Sequence, residues 1–200
     1  MKDLEEHLGY WTPVAIAAAF VARDFHKGQK DKGGNDYFTS HLLPVGCSGH
    51  DWKEQVVGFL HDAAEDTPHS VDEIVDATRK ELYALADCKS ENWMDEFGIM
   101  PYPNGSISFP KEEEWDEIKT ALHALNHHNA ANRTAYIEQV KRNRLAINVK
   151  LNDLRNNMDI SRIPQPSSKD FERLERYKAE YAELMECLNE LINKQKEDNE

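Results

Sequence analysis

From Phe171 onward the apolar residues fall at Phe171, Leu174, Tyr177, Tyr181, Leu184, Met185, Leu188, Leu191 and Ile192. Steps of three and four put them all on one face of an α-helix, whereas a strand would scatter them over both faces. One long amphipathic helix at about 169–196 follows. Its apolar face either packs on the rest of a domain or pairs with a second copy as a coiled coil, which leaves a monomer and a homodimer both open. The remainder of the chain reads the same way. Thr12-Pro13 is a helix start before the alanine-rich run Val14 to Phe25. Leu42 to Gly46 begins another helix, and Trp52 to Ala64 follows the Gly49-His50-Asp51 boundary. Ser70 and Glu73 form a capping box for Val71 to Asp87. Trp115 to Asn126, Thr134 to Arg142 and Arg144 to Met158 complete the pattern, and Ser168 is placed to cap the last helix. The expected fold is all-α, a multi-helix bundle in a single domain over residues 1–200.

One stretch departs from that period. Around 89–110 the chain carries Pro101, Pro103, Pro110 and an Asn104-Gly105 pair between Tyr102 and Ile107/Phe109. Asn-Gly between such residues is a hairpin signal, so a small β-hairpin or ordered loop is expected to be inserted there. Its Trp93, Phe97, Tyr102 and Phe109 suit either a small apolar cluster of their own or a cover over a cleft.

Charge removes several function classes. Asp plus Glu number 37 against 24 for Lys plus Arg, a net −13, which repels nucleic acid and anionic lipid over most of the surface. The longest uncharged apolar stretch, Val14 to Ala22, is far short of the roughly 18 residues a membrane span needs. Cys47, Cys88 and Cys187 are too few and too scattered for a disulfide scaffold, and no CxxC pair occurs. The opening Met-Lys-Asp-Leu-Glu-Glu lacks the pattern of a secretory leader, so a cytoplasmic protein is expected. Any metal site must then use His and carboxylates.

Three places carry chemistry. In Val56-Val57-Gly58-Phe59-Leu60-His61-Asp62-Ala63-Ala64-Glu65-Asp66-Thr67, helical spacing stacks Glu65 above His61 and Asp66 above Asp62. The wholly apolar approach drives this ionisable cluster inward, where it needs a charge partner and a divalent cation is a simple one. In Val149-Lys150-Leu151-Asn152-Asp153-Leu154-Arg155-Asn156-Asn157-Met158, Lys150, Asp153 and Asn157 line up at steps of three and four. Taken alone that is an ordinary surface pair. His41, after Tyr37-Phe38-Thr39-Ser40, is taken alone a structural histidine.

Together these make an H…HD…D constellation, and the chain resembles the HD-domain metal-dependent phosphohydrolases, in particular the RelA/SpoT-type hydrolases and small alarmone hydrolases. The similar stretches are Ala18-Ala19-Phe20 through His26-Lys27-Gly28-Gln29 with Asp31-Lys32-Gly33-Gly34, His41 to Val45, Leu60 to Thr67, Val149 to Asp159 and the Arg162 to Tyr177 region. The resemblance implies that His41, His61, Asp62 and Asp153 bind one divalent metal. Mn²⁺ is the expected ion, and Fe²⁺, Co²⁺ and Zn²⁺ suit the same nitrogen and oxygen donors. It implies that Glu65 and Asp66 position and deprotonate the attacking water. It makes Lys32 a site for substrate phosphate and puts Asn157 in the substrate pocket, and by their charge Lys30 or Arg142/Arg144 would add to the phosphate site. The segment departs from the resembled pattern in having His41-Leu42 rather than His-Pro and one extra residue after Tyr37, which leaves His26 as an alternative first ligand.

The activity so implied is cleavage of the 3′-pyrophosphate of (p)ppGpp to GDP or GTP and pyrophosphate by a metal-activated water. An HD phosphohydrolase acting on another phosphorylated nucleotide, such as the 2′-phosphate of NADPH, shares the same metal set. A non-catalytic regulatory module of the same fold would show that set broken, and here it is complete. Either enzyme reading requires Lys or Arg beside the metal cleft, because the rest of the protein repels a polyphosphate anion.

Overall fold

A computed structural model describes residues 11–87 and 109–197. Among these it is helix and turn with no strand, the all-α bundle that the periodicity predicts. The elements are α1 (Pro13–Phe25), a π-helical turn (Phe38–Leu42), α2 (Leu43–Cys47), α3 (Trp52–Leu60), α4 (Ala63–Asp66) and α5 (Val71–Asp87). After these come α6 (Glu112–Leu125), α7 (Arg133–Val140), α8 (Arg144–Asn157) and α9 (Ser168–Glu197), with short 3₁₀ turns before α7 and α9. The expected hairpin or loop around 89–110 lies almost wholly outside the described residues. Phe109, which is described, stacks on Tyr83 with ring centroids 4.9 Å apart.

α1 is the centre of the packing. Thr12 caps it, its hydroxyl accepting from the Ala15 N–H, and Pro13 takes a first-turn position where no N–H is needed. Ala15, Ala17, Ala18, Ala19 and Ala22 are fully buried alongside Val14, Ile16 and Val21. A helix buried nearly all round must have small side chains where its neighbours press closest, and α3 and α5 both lie against it. The capping box at α5 forms, with the Ser70 N–H donating to Glu73 Oε2 at 2.8 Å and the Glu73 N–H to Ser70 Oγ at 3.3 Å.

α2 crosses α3 through two glycines. A Cβ placed on Gly58 would stand 2.9 Å from the Cα of Gly46, and one placed on Gly46 would run into the Phe59 ring. The two helices therefore touch backbone to backbone, which brings the His41 turn against the end of α3. The apolar face of α9 packs on the rest of the chain: Tyr177, Tyr181, Leu184, Met185, Leu188 and Leu191 join the core, with Leu184 fully buried, while Phe171 remains exposed. Ser167, one residue earlier than expected, caps this helix. Its N–H and hydroxyl both donate to Asp170 Oδ2, and its carbonyl accepts from the Asp170 and Phe171 N–H groups.

The uninterrupted helix expected over Trp52 to Ala64 is corrected. α3 ends at Leu60, and α4 starts anew at Ala63. The cause is local: the His61 ring takes the Gly58 carbonyl through Nδ1 at 2.8 Å. In a continuing helix that carbonyl would accept the Asp62 N–H. His61, still at helical backbone angles, is 3% exposed at the break.

Candidate metal centre

The π-helical turn, the end of α3 and the start of α4 bring His41, His61 and Asp62 together, and Asp153 of α8 approaches the two imidazoles. His41 Nε2 lies 3.3 Å from His61 Nε2 and 3.2 Å from Asp62 Oδ2, and His61 Nε2 lies 3.2 Å from the same oxygen. Asp153 Oδ1 approaches both imidazoles, at 3.3 Å from His41 and 3.7 Å from His61. Donors about 2.1 Å from a common cation stand about 3.0 Å apart at octahedral angles and about 3.4 Å apart at tetrahedral ones. The spacing of the set fits one divalent ion, with no thiolate in it.

His41 reaches this point because its segment is a π-helical turn, in which the Leu43 N–H bonds back to the Phe38 carbonyl. A turn of this kind absorbs one more residue than an α-turn. His26 bonds Nδ1 to Gln29 Oε1 at 2.7 Å and stands outside the His41–His61–Asp62 cluster.

The groups behind the donors fix their direction. His41 Nδ1 meets Asn156 Oδ1 at 2.7 Å, and His61 Nδ1 meets the Gly58 carbonyl. Both partners are acceptors, so each ring carries its proton on Nδ1 and turns the Nε2 lone pair toward the shared point. Tyr37 donates its hydroxyl to Asp62 Oδ2 at 2.6 Å, and burial together with that carboxylate raises its pKa, keeping it a donor. Asp153 receives Lys150 Nζ on Oδ2 at 2.6 Å and Asn157 Nδ2 on Oδ1 at 2.5 Å. Lys150 is only 9% exposed, so the Lys–Asp pair that reads alone as a surface pair is an interior one.

The charges of the set act on one another. Burial opposes a charged imidazole, yet the Asp153 and Asp62 carboxylates outweigh it and raise His41 to about 9, with His61 raised well above its usual value. Burial likewise opposes the charged carboxylates. His61 and His41 hold Asp62 well below the usual range, while Lys150 and the two histidines do the same for Asp153. The carboxylates thus favour positive charge at the imidazole nitrogens, which a divalent cation would supply in place of protons.

A cleft of about 240 Å³ opens beside His41. Lys30, Lys32 and Asn157 line it, and so do Arg162, Arg173, Tyr37, Leu174 and Tyr177. Four cations stand there against three carboxylates, Asp31, Asp159 and Asp170, a local balance opposite to that of the whole chain. Asp170 holds Lys32 at 3.2 Å and Arg173 at 3.7 Å. Arg162 instead clamps the site, donating to the carbonyls of Ser40 and Asn156 at 2.8 Å each.

The other expected site residues lie elsewhere or are otherwise engaged. Glu65 accepts the His127 N–H on Oε1 and pairs with His127 Nδ1 through Oε2, both at 2.6 Å. Asp66 accepts from Gln29 Nε2 on Oδ2 at 2.8 Å. Arg144 is not brought to the cleft. It opens α8, about 13 Å along the axis from Asp153 at 1.5 Å per residue. There it donates to Gln195 at 2.6 Å and borders a separate cavity of about 870 Å³ with Asp116 and Glu117. Sequence reasoning passed over Tyr37, Asn156, Arg173 and Tyr177 as site residues. Arg173 and Tyr177 sit on the long amphipathic helix, where Tyr177 counted as one apolar position among many.

A scan against protein-family models finds no match to this chain, and a search of curated proteins finds none either.

Proposed function

We propose that the protein is a divalent-metal-dependent phosphohydrolase of the HD-domain kind, acting on a phosphorylated nucleotide. The reading rests on one juxtaposition: His41, His61, Asp62 and Asp153 converge at the side of a cleft lined by Lys30, Lys32, Arg162 and Arg173. The resemblance of the sequence to the alarmone hydrolases narrows the substrate to (p)ppGpp, and Mn²⁺ suits the donor set. A divalent ion in such a site supplies Lewis acidity, which lowers the pKa of water and neutralises phosphate oxygens.

The chain's own groups divide the remaining work. Lys32 and Arg173 are held over the cleft by Asp170, and an incoming phosphate competes with Asp170 for both of them. Tyr177 and Leu174 give the same cleft an apolar wall against which a base can lie. Asp66 has Oδ2 occupied by Gln29, so Oδ1 is the oxygen on which it would take a proton. Glu65 is braced by His127 and would have to exchange that partner to act. Asn157 serves Asp153 while facing the cleft, which joins the metal set to the substrate pocket.

Metal analysis and turnover of the wild type and Asp153→Ala test this. Metal in the wild type but not in the variant, with pyrophosphate released from ppGpp under Mn²⁺, is the expected result. Cleavage of NADPH alone would keep the hydrolase and change its substrate. A folded wild type that binds no divalent ion and cleaves neither compound would leave a non-catalytic module.

A further inference from the structure

Lys150 is out of place for a residue that only fills space. It is buried on α8, one turn before Asp153, with its ammonium 2.6 Å from Asp153 Oδ2 and 5.3 Å from the centroid of the Tyr136 ring. Tyr136 is itself 2% exposed, and Arg133 lies over its ring at 4.9 Å. Arg133 is neutralised from the other side by Glu180, through contacts of 2.8 and 2.6 Å. The aromatic ring thus stands among two cations, each with its own carboxylate. Burying an ammonium costs several kcal/mol, and an apolar chain of similar length would fill the space more cheaply.

The position has two electrostatic effects on Asp153. It occupies Oδ2, so only Oδ1, already bonded to Asn157, is offered toward the imidazoles. It also cancels one of the two carboxylate charges. With neutral imidazoles the set then carries −1 rather than −2, and a divalent ion leaves it net positive and able to attract phosphate.

Resting on the reading that this set holds a divalent cation, we propose that Lys150 is a positioning residue that holds Asp153 to one oxygen and deliberately weakens the grip on the ion. The protein trades metal affinity for residual positive charge at the site. Removing the ammonium frees Oδ2 and restores the second negative charge, so the ion binds more tightly. A purely structural lysine would give the opposite sign, because disordering Asp153 loosens the ion.

The test is a Mn²⁺ titration of the full chain at pH 8, followed by the signal of free Mn²⁺, for wild type, Lys150→Met, Lys150→Gln and Lys150→Arg, with helicity checked by circular dichroism. Lys150→Met should bind Mn²⁺ on the order of ten- to a hundredfold more tightly, the size of effect that a ligand's own partner exerts. Lys150→Arg, which keeps the charge, should stay close to the wild type. Lys150→Gln removes the charge but keeps a polar tip for Asp153, and should tighten binding even where the methionine variant folds poorly. Unchanged or weaker binding in a folded neutral variant overturns the proposal, as does an arginine variant that behaves like methionine. A wild type that takes up no Mn²⁺ overturns the metal reading itself.

Discussion

At the scale of single residues, the site is a problem in proton placement. Each imidazole gives its Nδ1 proton to a fixed acceptor, Asn156 for His41 and the Gly58 carbonyl for His61, and turns its other nitrogen toward carboxylates. Without a cation, Asp62 and Asp153 favour a second proton on each ring. The sign follows from the shifts. His41 and His61 are raised above 6.5, so their contribution to stability is fully present below that pH and fades as pH rises through about 9 for His41. Asp62 and Asp153 are depressed, so theirs is present above 3.8 and fades as pH falls further. Protons and a divalent ion compete for the same nitrogens. Thermal melts with and without Mn²⁺ should therefore show the metal raising the midpoint much more at pH 8.5 than at pH 6. An equal rise at both values would mean that Mn²⁺ binds without displacing protons from these rings.

At the scale of elements, the site depends on where helices stop. Gly58 shows it most plainly, since α3 meets α2 there at backbone distance and its carbonyl also orients His61. Gly58→Ala adds one carbon where there is no room, and should cost about 1–3 kcal/mol in urea unfolding. The same change pushes the His41 turn from His61, so metal affinity should fall with stability. A variant as stable as wild type would show that α2 can move away freely. Periodicity made the long helices legible, α5, α6 and α9 above all. The break at His61–Asp62 was not legible, because Val56 to Asp66 keeps an unbroken helical pattern and the interruption comes from a ring competing for a carbonyl. His41 was identified from the motif, but its approach depends on a π-helical turn that no local propensity announces. Arg144 was assigned to phosphate from charge alone, and charge says nothing about which end of α8 faces the cleft.

At the scale of the whole molecule, α9 completes both the core and the cleft. Glu180 is 6% exposed and grips Arg133 of α7 with two contacts, while Arg155 of α8 reaches Tyr181 at 3.2 Å. Glu180→Ala leaves the Arg133 guanidinium partly buried without its carboxylate. It should cost on the order of 2–3 kcal/mol, less than a fully interior pair because the Arg133 side chain is 38% exposed. Because Arg173, Leu174 and Tyr177 ride on the same helix, its effect on KM for a phosphorylated substrate should exceed its effect on metal content. Equal losses of both would show that α9 supports the metal donors as directly as the cleft.

His41 and its partner Asn156 stand 115 residues apart in the chain, and the remaining donors lie between them. In an unfolded chain only His61 and Asp62 are neighbours, and bringing the others to them means closing long loops against chain entropy. A cation held by this set would not be an early organiser of folding. It would be a late lock, able to close only once α2, α3 and α8 have already met, and its retention would report that the distant parts of the chain have found each other.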